Sequence, residues 1–173
     1  MSRPLANNFT ALAHASGATI LAGLYLCGNG ALWGPLVDFS TGYFLYDFLQ
    51  ILMHGKRNRT NAAYLYHHLA SIYIIGQDPE IYRGGEILFW GELSNLPMYY
   101  VYYLIKTNNQ SKVLFWKKTQ AVVYSCIRLP VLGWLGYKTI PNVADKTPFY
   151  VVTPVYFLGM YWSLHLWRKL LKR

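Results

Sequence analysis

Long segments without a charged side chain constrain this sequence most. Residues 4–37 contain no Asp, Glu, Lys or Arg, and the same is true of residues 147–167. A bilayer core about 30 Å thick is crossed by about 20 apolar residues in a helix that rises about 1.5 Å per residue. Both segments are long enough, so the pattern predicts helices that span a membrane.

The composition favours the same class of protein. Apolar residues make up 54% of the 173 residues and charged residues only 13%, which is about half the charged share of a typical soluble domain. The formal charge of +9 could indicate nucleic-acid binding, but that function would need a basic face on a soluble fold. We therefore expect a membrane-embedded chain and no nucleic-acid partner.

Apolar segments alternate with polar linkers along the whole chain. We predict an all-α bundle of six transmembrane helices, forming one domain over residues 1–173, with spans at about 9–27, 39–54, 62–76, 87–105, 119–137 and 149–167. No clear cleavage site follows the first span, so we interpret it as retained rather than as a signal peptide. The two cysteines lie in apolar runs and are expected to be buried thiols.

Basic residues cluster in alternate linkers. Lys and Arg accumulate in the cytoplasmic loops of membrane proteins, so the pattern predicts that both termini are cytosolic. The clusters comprise Lys56, Arg57 and Arg59, then Lys106, Lys112, Lys117 and Lys118, and finally Arg168, Lys169, Lys172 and Arg173.

Polar side chains inside the predicted spans are the candidates for function. An ionisable side chain in the bilayer costs roughly 2.5–3.5 kcal/mol on insertion scales, so each one is a functional candidate by default. His14, near a predicted span end, is expected to be wet and without a special role. The candidate site residues are Tyr43, Asp47, His67, His68, Ser71, Glu92, Asn95 and Arg128.

Helical geometry predicts how these side chains are arranged. Neighbours on a helix diverge by about 100°, so His67 and His68 cannot point the same way. The spacing places His68 and Ser71 on one stripe, with His67 at its margin. Pro97 and Pro130 lack a backbone N–H and are expected to kink their spans beside the polar residues.

Three interpretations of the histidine pair remain open. The imidazoles could tie helices together, or one could act as a base or nucleophile, because the pKa of His lies near 6.5 and shifts easily. A metal site is a third possibility, but adjacent histidines on one helix are poor co-ligands, and we predict none. We expect Asp47, Glu92 and Arg128 to form a polar cluster with them, in which a carboxylate orients an imidazole and the arginine faces an acyl or phosphate oxygen.

The ordered set of motifs resembles the TLC domain. It comprises Gly42-Tyr43-Phe44-Leu45-Tyr46-Asp47, then His67-His68, then Glu92-Leu93-Ser94. That family includes ceramide synthases, the TRAM translocon proteins and small lipid-homeostasis membrane proteins, and the likeness is closer to the small proteins. The resemblance implies a protein of the endoplasmic reticulum or a related endomembrane that binds or handles a lipid in an intramembrane polar cavity lined by Tyr43, Asp47, His68, Glu92 and Arg128.

The resemblance also implies an alternative, an acyl-CoA-dependent N-acyltransferase of ceramide-synthase type. His67 or His68 would be catalytic, a sphingoid base would be acylated, and the basic loops would attract the CoA phosphates. Leu93 and Leu96 stand where ceramide synthases carry aspartates, and this departure counts against the enzyme. No cofactor is expected beyond acyl-CoA as a possible substrate. A homo-oligomer and a proton-coupled carrier remain further possibilities.

Overall fold

A computed structural model describes the backbone of residues 3–56 and 58–172 and the side chains of 6–56 and 58–172. Arg57 and Arg173 of the basic clusters lie outside these residues. The described chain is helical and contains no strand. Its α-helices are α1 (Arg3–Leu26), α2 (Trp33–His54), α3 (Arg59–Ile75), α4 (Pro79–Tyr82), α5 (Gly84–Leu93), α6 (Leu96–Lys106), α7 (Gln110–Cys126), α8 (Leu132–Thr139) and α9 (Thr147–Leu171).

Short polar side chains start several of these helices. Asn58 Oδ1 accepts a hydrogen bond from Asn61 N at 2.9 Å at the start of α3. Asp78 Oδ1 accepts from Glu80 N at 2.9 Å and from Ile81 N at 3.1 Å, and Pro79 follows at the first helical position. These bonds satisfy backbone N–H groups that have no partner inside the helix. The polar residues 77–80 that follow α3 therefore contain the beginning of α4.

Two of the predicted spans are interrupted near their prolines. The span predicted at 87–105 divides into α5 and α6 at Ser94–Asn95, just before Pro97. The span predicted at 119–137 contains the end of α7, a π-helical turn at Ile127–Val131 with Pro130 inside it, and α8. Proline removes a backbone donor and obstructs the preceding turn, so regular hydrogen bonding cannot continue through either position.

Helix α1 lies at the centre of the packing, against α2, α5 and α6. Ala15, Ala18 and Ala22 are fully buried on one side of it. A Cβ atom added to Gly85 would lie 2.6 Å from the ring of Tyr25, so α1 and α5 pack closely only because residue 85 is glycine. Small residues of this kind let neighbouring helices approach each other in membrane proteins.

The two ends of the bundle differ in charge, although Arg83, Lys138 and Lys146 lie at the more acidic one. At the acidic end, defined by Asp78, Glu80 and Asp145, the Tyr25 hydroxyl donates to Glu80 Oε1 at 2.8 Å. The Tyr82 hydroxyl donates there to the carbonyl oxygen of Asp145 at 2.9 Å. The opposite, basic end brings together the start of α1, the end of α6 and the end of α9. It carries Lys56, Arg59, Lys106, Lys112, Arg168, Lys169 and Lys172.

Among the described residues, one helix is by itself long and apolar enough to cross a membrane: α1, over Ala6–Leu26. Helices α3 and α7 have 17 residues each, and α5 and α6 have 10 and 11. The interruptions therefore explain why the spans predicted at 87–105 and 119–137 do not form single long helices, whereas α2 and α9 are uninterrupted over 22 and 25 residues.

The prediction for the cysteines was wrong. Cys27 and Cys126 are both exposed rather than buried. Cys27 follows the last residue of α1 and Cys126 is the last residue of α7, so both lie where a helix ends and neighbouring helices do not cover them.

Candidate functional site

A cavity of about 340 Å³ lies among α3, α5, α8, α9 and the π-helical turn. This volume is at the lower end of the roughly 300–1,000 Å³ that is typical of ligand pockets. Most of the wall is apolar and includes Ile74, Leu88, Leu132, Leu135 and Val152. Three ionisable side chains, His67, Glu92 and Arg128, also line it, and we call these three residues the polar floor.

Three separate elements supply the polar floor. His67 lies in α3, Glu92 in the last turn of α5, and Arg128 in the π-helical turn. Glu92 is 6% exposed and Arg128 is 8% exposed. Burial of a charged side chain is unfavourable unless hydrogen bonds compensate for the lost water. The hydrogen-bond partners of Glu92 and Arg128 therefore stabilise the polar floor.

Arg128 bonds to the break between α5 and α6. Its Nε donates to Ser94 Oγ at 2.9 Å. Its Nη2 donates to the carbonyl oxygen of Gly91 at 3.1 Å and to Asn95 Oδ1 at 3.3 Å. The guanidinium also lies 5.3 Å from the ring centroid of Tyr124. At the interruption Asn95 N donates to the carbonyl oxygen of Glu92 rather than to that of Gly91, so the Gly91 carbonyl is available to the arginine. The other two acceptors are side-chain oxygens.

Arg128 forms no ion pair with a carboxylate among the side chains of residues 6–56 and 58–172, because no acidic group there lies within 4.0 Å of its guanidinium. Asn95 links Arg128 to Glu92 instead. Its Oδ1 accepts from Arg128 and its Nδ2 donates to Glu92 Oε2 at 3.4 Å. An amide can serve both side chains at once because it carries a donor and an acceptor.

Asp47 pairs with His68. Its Oδ2 lies 2.8 Å from His68 Nε2, and because a carboxylate only accepts, the imidazole donates. His68 is 6% exposed and packs beside the ring of Phe44 at a centroid distance of 5.6 Å. The pair joins α2 to α3, as the sequence predicted for a carboxylate and one of the two histidines.

The predicted cavity lining was partly wrong. Tyr43, Asp47 and His68 do not line the cavity, whereas His67 and Ser71 do. The reason is the turn of about 100° between neighbours on a helix, which directs His68 towards α2 and His67 towards the cavity. The Nδ1 atom of His67 is buried and has no hydrogen-bond partner among the described residues.

The prediction for His14 was also wrong. This side chain is 2% exposed, and its Nδ1 lies 3.8 Å from Glu92 Oε2. It stacks on Tyr43 with a centroid distance of 3.9 Å and an interplanar angle of 10°. The buried alanines of α1 recur at Ala11, Ala15, Ala18 and Ala22, and His14 is three residues after the first and four before the third. That helical periodicity could have identified it from the sequence.

The TLC-domain family model, described by its members TRAM, LAG1 and CLN8, matches residues 29–168. The match covers most of the chain, including every residue of the polar floor, and the chain therefore belongs to the TLC-domain family of lipid-related membrane proteins. No curated protein and no solved structure matches the chain.

Proposed function

We propose that this protein binds a lipid in the cavity and takes part in lipid homeostasis of the endoplasmic reticulum or a related endomembrane. The observation that carries the proposal is the polar floor at one end of a mostly apolar cavity inside a protein of the TLC-domain family. An amphiphile could place its polar head group on the polar floor and its apolar chain against the apolar wall. A ligand that is polar throughout would leave most of that wall without an apolar contact.

Hydrogen-bonding groups left free on the polar floor support the proposal. The bonds that Arg128 makes use Nε and Nη2, which leaves the N–H groups of Nη1 for a further acceptor. His67 lines the cavity together with Arg128. An unpaired donor in a buried site costs free energy, and a bound head group would satisfy the free N–H groups of Arg128.

The proposal includes a topology of six spans with both termini in the cytosol. The separation of a basic from an acidic end supports this orientation, because Lys and Arg accumulate on the cytoplasmic side. The interruptions at Ser94–Asn95 and Ile127–Val131 are compatible with a membrane, because non-helical backbone is tolerated there when it is buried in protein. Arg128, which bonds to Gly91 and Ser94, provides that burial.

A cavity-filling variant tests the proposal. A Cβ added at Gly136, which lines the cavity, would meet no atom within 4 Å, so Gly136→Leu places its side chain in the empty space without a clash at Cβ. Gly42 is also helical and also has nothing within 4 Å, but it does not line the cavity. Gly42→Leu is therefore the matched control.

The measurement is mass spectrometry of the lipids that copurify with the protein from membranes. We expect a lipid enriched with the wild-type chain and with Gly42→Leu, and lost from Gly136→Leu. Equal lipid profiles for all three proteins, with all three folded, would contradict the proposal.

An N-acyltransferase of ceramide-synthase type is the second candidate function. His67 favours it, because this imidazole faces the cavity beside Arg128. A general base is usually oriented by a further group, yet the carboxylate of Asp47 bonds to His68, which does not line the cavity. A catalytic histidine needs both access to the cavity and a carboxylate that orients it. Here His67 has the access and His68 has the carboxylate, so we prefer lipid binding.

Labelled acyl-CoA and a sphingoid base distinguish the two functions. The enzyme would form an N-acyl product that disappears in His67→Ala, with acyl-CoA as substrate and no further cofactor. Lipid binding predicts no product from either the wild type or the variant. Product formation that depends on His67 would replace lipid binding as the preferred function.

A further inference from the structure

The cavity has a polar and an apolar end, and these ends lie at different depths in the bundle. The polar floor lies near Gly159 in the middle of α9. From there the lining runs along α8 and the first half of α9 to Tyr137, Ile140 and Phe149. Phe149 packs against Tyr82 with a centroid distance of 5.8 Å, so this part of the cavity lies at the acidic end.

The mouth of the cavity lies between α8 and α9. Tyr137 is 71% exposed and Ile140 is 37% exposed, although both line the cavity. Thr153, across from them on α9, is exposed as well. We define the mouth as Tyr137, Ile140 and Thr153.

Helices α8 and α9 touch near the polar floor and separate towards the mouth. The Tyr156 hydroxyl donates to the carbonyl oxygen of Leu129 at 3.1 Å. A Cβ on Gly133 would lie 2.8 Å from the Tyr156 oxygen, whereas one on Gly136, about a turn further along, would meet nothing within 4 Å. The gap between the two helices therefore widens in the direction of the acidic end.

The size of the cavity limits the occupant. About 340 Å³ lies at the lower end of the roughly 300–1,000 Å³ that is typical of ligand pockets. A cavity of this size favours an occupant with one acyl chain over an occupant with two. The polar floor at the inner end requires the head group to be innermost and the chain to extend to the mouth.

We infer that the occupant is a single-chain acyl lipid that enters between α8 and α9 from the acidic end. Its acyl oxygen accepts from Arg128 Nη1, and its chain lies along Gly136 towards Tyr137 and Ile140. This inference rests on the proposed lipid binding and adds the ligand class, its orientation and its route. The mouth is opposite the basic end, so the route makes no use of the lysine and arginine clusters.

Photo-crosslinking tests both orientation and route. The probes are oleic acid and monooleoylglycerol, each with a diazirine at the chain terminus, and dioleoylphosphatidylcholine labelled in the same way. The first two share an acyl oxygen on a single chain. We expect one or both to label Tyr137, Ile140 or Thr153 in the full-length protein, and the diacyl probe not to label them. Labelling by the acid alone would identify a free carboxylate, and labelling by monooleoylglycerol would identify an ester carbonyl.

Two variants accompany the probes. Gly136→Leu should abolish the crosslink and Gly42→Leu should keep it. Arg128→Gln should weaken labelling by the single-chain probes, and circular dichroism of this variant checks that it remains helical.

The outcomes separate this inference from the proposed function. Terminal diazirines that label residues around the polar floor, equal labelling by the diacyl probe, or crosslinks confined to the basic end would overturn the inference. If copurified lipid still depends on Gly136 in that case, lipid binding stands and only the ligand class or route is wrong. If neither copurified lipid nor any crosslink depends on Gly136, both proposals fail.

Discussion

The Nε2 atom of His68 lies 2.8 Å from Oδ2 of Asp47 and joins α2 to α3 within the bundle. Replacement of Asp47 by alanine would leave a buried imidazole donor without an acceptor. An unsatisfied buried polar group costs about 1–3 kcal/mol, so Asp47→Ala should lower the thermal unfolding midpoint in detergent. Asp38→Ala is the control, because Asp38 is exposed in the same helix and its loss should leave the midpoint unchanged.

Ser94 holds Arg128 at the break between α5 and α6. The serine is fully buried and its hydroxyl accepts from Arg128 Nε at 2.9 Å. Ser94→Ala leaves that N–H unpaired and should destabilise the protein by about 1–3 kcal/mol, measured by thermal unfolding. The same change at Ser111, which is exposed in α7, should have little effect. Equal stability of the two variants would show that Arg128 does not need Ser94.

The close approach of α1 and α5 depends on Gly85. An added methyl group there would lie 2.6 Å from the Tyr25 ring, and overpacking of this kind typically costs about 1–3 kcal/mol. Gly85→Ala should therefore lower the unfolding midpoint. Gly42→Ala should raise it slightly, because alanine is favoured over glycine in a helix by about 1 kcal/mol and nothing lies within 4 Å of the new atom.

Asp145 makes stability depend on pH at the acidic end. Its Oδ1 accepts from Thr147 N at 2.9 Å at the start of α9, and this backbone hydrogen bond lowers the pKa of the carboxyl below 3.8. Because the folded form binds the proton less readily than the unfolded form, the contribution is present above the ordinary pKa and is lost as pH falls through the lowered one. Asp145→Asn should reduce the acid-side decline in the unfolding midpoint, whereas Asp38→Asn should not.

Exposed Cys27 reports on the topology. It follows α1 at the acidic end, which we propose to be the side opposite the cytosol. In sealed endoplasmic reticulum vesicles that carry the Cys126→Ser variant, a membrane-impermeant maleimide should label Cys27 only after the membrane is permeabilised. Labelling of intact vesicles at the same rate would place this end in the cytosol and reverse the proposed orientation.

The sequence predicted the helical class better than it predicted the directions of the polar side chains inside the helices. Apolar segments and prolines indicated helices and their interruptions, because these features depend on local chemistry. Asp47 and one histidine were expected to pair, but the sequence did not show whether His67 or His68 would do so. The helix fixes the angle between the side chains of His67 and His68. Which of the two faces Asp47 depends on how α2 packs against α3.

The partners of Arg128 could not be predicted because they arise from tertiary structure. The sequence predicted a polar cluster of Arg128 with Glu92 and Asp47, yet the guanidinium bonds to the uncharged side chains of Ser94 and Asn95. His14 was missed for a related reason. Its position near a predicted span end suggested water, whereas the stacking of Tyr43 on its ring excludes water.

The π-helical turn at Ile127–Val131 sets which side chains of α8 form the cavity wall. A π turn contains one more residue than an α-turn closed over the same path. If Ile127–Val131 were regular α-helix with the same residues, everything after it would be rotated by about 100°. Gly133 and Gly136 would then turn away from the cavity, and bulkier neighbours would take their places. The π turn is therefore what directs these two glycines at the cavity and keeps its interior open.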